Sequence, residues 1–520
     1  MDKNIKIDIE NNEILYKIII ALIIIFGITI RAINITEIPI GLHADEAGTF
    51  YDAYCIANYG TDRYLNPNPF YGINYGGGQS TLYMYLTALF IKIIGFKILA
   101  VKLPSLILSS ISIIVFYKIL DKFENKKMAI IGTLLIAIVP WHFMQSRWGL
   151  DCNLMSSMIL ISTYALLCAK KPLGYIVSGI LFGITLYTYI LSYIIVPIIL
   201  FLTMIYLLYI KKIKIRNIIQ MGIPLGLLAI PLILNLMVNN GILPEIRTDM
   251  FSMPRLFIYG NRASEISLYN IPENIFIIFI RMFAADPCNY NSFIEFGTLY
   301  YISIPFAIIG IIKILENFKT NLKSKKINLD IVFLILCASS FVFDIFVHGI
   351  WVNTINGIYI PLIYIIAKGI YELVTKHRKM GIVIFSAYFL LFIIFMAYYF
   401  GYYGSVNTDV GFNKSTIEVV KYIEENNKFD GKKINIKTGA VQPHIYTLIG
   451  NKTNPKEFMK DKVMSGTIVF SYGRYIFYNS NIDQETIYVI NKSYKDKKEK
   501  LLQKGFKFEE FEDLYIFYYE

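Results

Sequence analysis

Thr81-Leu82-Tyr83-Met84-Tyr85-Leu86-Thr87-Ala88-Leu89-Phe90-Ile91-Lys92-Ile93-Ile94-Gly95-Phe96 is the stretch whose reading decides the fold. It is apolar but short: at 1.5 Å rise per residue it reaches ~24 Å, against ~30 Å of bilayer hydrocarbon. Around it lie many longer apolar runs. The first covers residues 14–34, with no small-residue cleavage site after it, and reads as an uncleaved signal anchor. Later runs lie at roughly 103–120, 128–145, 153–169, 173–190, 193–210, 217–238, 299–315, 330–348, 353–374 and 380–401. The stretch 173–210 is too long for one span and reads as a pair of helices turning near Tyr189–Tyr193.

Charge decides whether 81–96 crosses. If it does not, and the N-terminus is cytoplasmic, five Lys/Arg-bearing loops fall inside: Asp121–Lys127, Lys170-Lys171, Lys211–Arg216, Glu316–Asn328 and Lys376–Lys379. If it crosses, all five flip outward, against the positive-inside rule. The sequence therefore predicts about eleven transmembrane helices with an interfacial helix at 81–96. The outer face then carries the first loop 35–102, the turn Gln145–Cys152, the long loop 239–298 and residues 404–520. In the last segment hydropathy drops. A helical stretch near Ser415–Asn427 precedes strand-like runs at Lys433–Thr438, Thr467–Phe470, Thr486–Asn491 and Leu514–Tyr519. The expected division is a helical membrane domain at 1–403 and a small α/β extracytoplasmic domain at 404–520.

Composition agrees. Of 520 residues, 55% are hydrophobic and only 17% charged, which suits an all-α polytopic membrane protein and no soluble class. The net charge of +12 is spread over short loops between spans, so nucleic acid is not needed to explain it. The five cysteines show neither disulfide nor metal spacing. Heavy use of Ile, Lys, Asn and Tyr points to an AT-rich, bacterial coding sequence.

Chemistry concentrates in Gly41-Leu42-His43-Ala44-Asp45-Glu46-Ala47-Gly48, just past the first span. Asp45 with Glu46 reads either as an acidic turn capping a helix that starts near Ala47, or as a general base and metal ligand assisted by His43. Asp151, on the same predicted face, is either a boundary charge or a second carboxylate of the same site. Arg147 is a phosphate ligand or a snorkelling arginine. Arg247, Arg255, Arg262 and Arg281 in the third outer loop run against the charge bias; they read either as ligands of an anionic lipid headgroup or, taken singly, as residues of a solvated loop. His348 reads as a packed or interfacial residue. Tyr75-Gly76-Gly77-Gly78-Gln79-Ser80 has no nucleotide-loop spacing; it is a backbone turn that places Gln79 toward the site.

At these residues the chain resembles the GT-C glycosyltransferases of the family 39 type, which include protein O-mannosyltransferases and lipid A aminoarabinose transferases. The matching features are Asp45-Glu46 after the first span, an interfacial helix ending in Gly95-Phe96, Val101-Lys102-Leu103-Pro104-Ser105 opening the next span, and Arg147 with Asp151 after the third. The match covers about residues 14–240. Where the family has Arg-Pro-Asp, this chain has Arg147-Trp148-Gly149-Leu150-Asp151. The resemblance implies a membrane glycosyltransferase that takes a sugar from a polyprenyl-phosphate donor to a hydroxyl of a glycan, lipid or protein acceptor at the outer face of the cell membrane. It implies Asp45 as the catalytic carboxylate. Glu46 and Asp151 join it, His43, Gln79, Arg147, Arg247 and Arg255 are the expected substrate-binding residues, and Asp45 with Asp151 is the expected pair for a divalent metal ion. The competing expectations are a polysaccharide ligase or polymerase, whose key residues would sit in a late loop, and a lipid-linked-oligosaccharide transporter. A transporter would carry inverted repeats and ionisable groups in mid-span; here only Asp344 and Lys368 come close.

Overall fold

The computed structural model describes residues 12–258, 268–346, 349–403, 411–479 and 481–519. Arg262 and His348 lie outside them. Among the described residues seven helices are long and apolar enough to cross a membrane: Glu13–Ala32, Ile98–Phe123, Asp151–Cys168, Ser192–Tyr209, Ile215–Asn239, Asn356–Lys376 and Lys379–Tyr403. The other expected spans are also helical, but shorter or interrupted. Pro172–Thr185 and Leu329–Asp344 are short apolar helices, and Ser303–Lys323 ends in a charged turn. Lys126–Ile138 stops at Val139, because Pro140 has no N–H to continue the ladder, and the chain restarts as Pro140–Gln145. The Trp141 N–H released by that break donates to Thr298 O at 2.9 Å.

Residues 81–96 form the helix Leu82–Ile94, 13 residues long. It packs on Ala44–Tyr59, the helix that follows the first span, and Tyr83 Oη donates to Val101 O at 2.7 Å. It also packs against the long helix Ile98–Phe123. Leu89 and Ile93 remain exposed on its far side.

The loops sort to two ends. At one end Tyr364 Oη lies 2.6 Å from Asp330 and 2.8 Å from Glu124, to either of which it can donate, Lys368 pairs with Asp330 at 3.0 Å, and Tyr206 reaches Lys326 O. These residues belong to or adjoin the loops that the charge rule groups together. At the other end the fully buried Arg147 donates to the carbonyls of Ile30, Arg31, Asn34 and Ile38 and, through Nε, to Tyr399 Oη. All five of its N–H groups are thus consumed in tying the end of the first helix to the last one.

The C-terminal part is a seven-stranded mixed sheet. Its spatial order is Lys507–Phe511, Leu514–Tyr518, Thr486–Asn491, Lys433–Lys437, Tyr475–Phe477, Ile468–Tyr472 and Val463–Ser465. The central three strands run parallel and the flanking pairs antiparallel. Ile434, Ile436 and Ile487–Ile490 are buried, as expected for strands covered on both faces. Three of the strands, Lys507–Phe511, Tyr475–Phe477 and Val463–Ser465, were not expected from sequence; they are short or heavily charged. The sheet domain is joined to the membrane part by a small antiparallel pair, Leu42–His43 with Phe412–Asn413.

Candidate active site

The turn after the first span is built by its own hydrogen bonds. His43, not Asp45, is the N-cap of Ala44–Tyr59: its Nδ1 accepts from Asp45 N at 3.2 Å, while Glu46 reaches back to His43 N at 3.4 Å. Asp45 therefore sits inside the first turn. Successive helical residues point ~100° apart, so Asp45 and Glu46 are forced into different environments. Glu46 turns inward, fully buried, with Lys102 Nζ at 2.9 Å and Gly149 N donating at 2.6 Å. A Cβ at Gly149 would stand 3.0 Å from the Glu46 side chain, so a larger residue there would crowd the buried carboxylate. Asp45 turns outward, with a side chain 41% exposed and His43 Nδ1 at 3.6 Å.

His43 is enclosed by Trp148, Tyr290 and Phe412, with ring centroids 4.9–5.8 Å away. Burial pushes its pKa down, which keeps the imidazole neutral and fits an Nδ1 that accepts from a backbone N–H.

Asp45 opens into a cleft of about 440 Å³. Its wall includes Asp151, Gln79, Asn74, Tyr189, Trp351 and Asn353. Asp151 is held by two backbone donors, Ser80 N at 3.2 Å and Cys152 N at 2.8 Å. Gln79 is aimed by Thr49, whose hydroxyl donates to its Oε1 at 2.8 Å. The glycine-rich hairpin that carries Gln79 is pinned to the helix by Arg63. This arginine is fully buried, bidentate to Asp52 at 2.8 Å, and also bonded to Gly48 O and Asn74 Oδ1. A Cβ at Gly48 would lie 2.4 Å from Asn74 Oδ1, so the close approach of hairpin and helix depends on that glycine.

The structure thus brings Asp45, Asp151 and Gln79 to one cleft, with His43 behind Asp45. It takes two expected residues out of it. Glu46 spends its oxygens on Lys102 and two backbone N–H groups, and Arg147 is sealed among carbonyls, so neither side chain lines the cleft. Arg247 bonds to Leu65 O and Arg255 to Leu243 O on an exposed loop, and neither lines the cleft. Arg281 pairs with Asp286 at 3.2 Å. Trp351, Asn353 and Thr354 escaped notice in the sequence, where Tyr189 reads only as part of a turn between two helices. Their only signal was a polar and aromatic break between two apolar runs.

The donor set also bears on a metal ion. Among the described residues no three His, Cys, Asp or Glu side chains converge. The cleft offers two carboxylates with amide oxygens nearby, and its lining contains neither Lys nor Arg. That set suits a hard divalent cation whose remaining ligands are water and substrate phosphate, rather than an all-protein cage.

Residues 79–237 match the family model of dolichyl-phosphate-mannose-protein mannosyltransferases. No curated protein matches the chain. Among solved structures, ArnT from Cupriavidus metallidurans bound to undecaprenyl phosphate aligns with a TM-score of 0.54 at 11% identity, over 97% of this chain and 97% of that one. Its apo state gives 0.53 at 10% identity with the same coverage. The Archaeoglobus fulgidus oligosaccharyltransferase in complex with Zn and sulfate aligns at 0.49 and 14% identity over 83% of this chain, and the chain spans 61% of that protein's length. The chain is a membrane protein of the GT-C fold, similar to the dolichyl-phosphate-mannose-protein mannosyltransferases over residues 79–237 and to ArnT over nearly its whole length.

Proposed function

We propose that the chain is a glycosyltransferase that moves a sugar from a polyprenyl-phosphate donor to an acceptor hydroxyl at the outer face of the membrane. The observation that carries the reading is the split of the acidic pair: Asp45 faces a polar cleft at the ends of apolar helices, while its neighbour is consumed inside the protein. A lipid-phosphate donor fits this position, because its tail stays in the bilayer while its sugar enters the cleft. The family match and the ArnT-like fold agree with it.

In the step proposed, Asp45 accepts the proton of the acceptor hydroxyl as that oxygen bonds to the anomeric carbon. The bond between the anomeric carbon and the phosphate oxygen breaks, and polyprenyl phosphate leaves with the electron pair. Asp151 and Gln79 orient sugar hydroxyls. His43, neutral and caged, fixes the rotation of the Asp45 turn. A phosphate entering a cleft with two carboxylates and no lining cation is repelled unless its charge is met. Asp45 and Asp151 would hold a divalent metal ion there, and it would supply that positive charge.

The test uses purified chain in liposomes with a panel of radiolabelled undecaprenyl-phosphate monosaccharides and an envelope-glycan acceptor extract. Acceptor-dependent release of undecaprenyl phosphate with label moving to the extract is expected. Passage of intact donor across the bilayer without cleavage would instead make the chain a transporter.

A further inference from the structure

A second cavity, of about 240 Å³, lies in the C-terminal sheet domain. It forms at the carboxyl ends of two adjacent parallel strands, Lys433–Lys437 and Thr486–Asn491, the place where open α/β sheets take their ligands. We propose that this cavity is a saccharide site that binds a sugar unit of the acceptor and steadies the catalytic turn when filled. The inference rests on the transferase reading above.

The lining is polar. Asn413, Ser415, Thr438, Asn491, Ser493 and Asp513 supply amides, hydroxyls and a carboxylate, and Tyr494 adds an aromatic ring with a polar tip. Asn491 Nδ2 donates to Asp513 Oδ2 at 3.0 Å, while Asp513 Oδ1 has no hydrogen-bond partner. Such a donor and acceptor array suits a polyhydroxylated ligand. It does not select an anion: Lys414 at the rim is paired with Glu418 at 3.2 Å, and Asp513 adds a negative charge. The volume is on the scale of one sugar ring.

Two lining residues also hold the turn that carries Asp45. Tyr446 Oη donates to Leu42 O at 3.1 Å, and Phe412–Asn413 is the strand paired with Leu42–His43. The fit is close, since a Cβ at Gly41 would stand 2.4 Å from the Asn413 backbone. A ligand that orders Asn413 and Tyr446 therefore orders the segment two residues before the proposed base.

Saturation-transfer NMR on the purified full chain, with a panel of free hexoses, aminohexoses and pentoses, tests the site. Ser493 is exposed, so Ser493→Trp fills the cavity without disturbing the core. At least one sugar should give a signal in the parent protein that disappears in Ser493→Trp and weakens in Asp513→Asn. Ser493→Trp should also raise the acceptor KM by about tenfold or more. No signal from any sugar, or one unaltered by Ser493→Trp, overturns the saccharide site. Loss of donor cleavage in the parent protein would overturn the transferase reading and leave the NMR result to judge the site itself.

Discussion

Glu46 and Lys102 meet at 2.9 Å with both side chains fully buried, one residue away from a carboxylate that faces an open cleft. The pair joins the turn after the first span to the start of the next membrane helix. Breaking such a pair leaves a charge without compensation, at a cost of about 3–5 kcal/mol. Lys102→Met should therefore lower the melting temperature in detergent sharply, and Lys102→Met with Glu46→Leu should recover most of the loss. A Lys102→Met protein that melts like the parent would contradict this role.

Arg147 should behave as a structural bolt. Arg147→Lys keeps the charge but cannot serve four carbonyls and the Tyr399 hydroxyl together, and each buried acceptor left unpaired costs about 1–3 kcal/mol. The expected phenotype is lower yield and earlier melting, with an unchanged donor KM in the fraction that folds. A selective rise in donor KM at unchanged stability would restore the phosphate-binding role.

His444 makes the sheet domain acid-sensitive. Both of its ring nitrogens are buried without partners, and burial pushes its pKa down from the ordinary imidazole value near 6.5 to about 3. The unfolded chain therefore binds a proton between those values while the folded chain does not, so stability falls as pH drops from about 6.5 toward 3. His444→Phe, packing against Phe458 and Phe477, should flatten that decline by a few kcal/mol. Melting curves at pH 7 and pH 4 check it; an equal pH dependence in both proteins would refute it.

The carboxylate cleft predicts a metal requirement. Dialysis against EDTA should remove most transfer activity, with return on adding a divalent cation, and Asp151→Asn should raise the cation concentration needed for half-maximal rate. Full activity after exhaustive chelation would leave the phosphate charge to be met some other way.

Much of the architecture was legible because membrane helices announce themselves by length and hydropathy. The shortness of 81–96 was legible too, and a 13-residue helix, Leu82–Ile94, is found there. Less could be read at the site, and the reasons are geometric. The sequence gives no way to tell which of two adjacent carboxylates turns inward, because the deciding partner, Lys102, is 56 positions away. The partners of Arg147 are carbonyls more than a hundred positions distant, which no local pattern reveals. The helix starts at Ala44 rather than near Ala47, because His43 caps it with an imidazole nitrogen. In the sheet domain the buried strands showed as apolar runs, and the charged edge strand Lys507–Phe511 did not.

The central claim is that Asp45 is the base. Asp45→Asn keeps size and most hydrogen bonding, and Asp45 is not the helix cap, so folding should be unchanged. Single-turnover transfer from a polyprenyl-phosphate donor should slow by roughly 10²–10⁴-fold, with Glu46→Gln losing activity only as far as it loses folded protein. Near-parental transfer by well-folded Asp45→Asn would contradict the account.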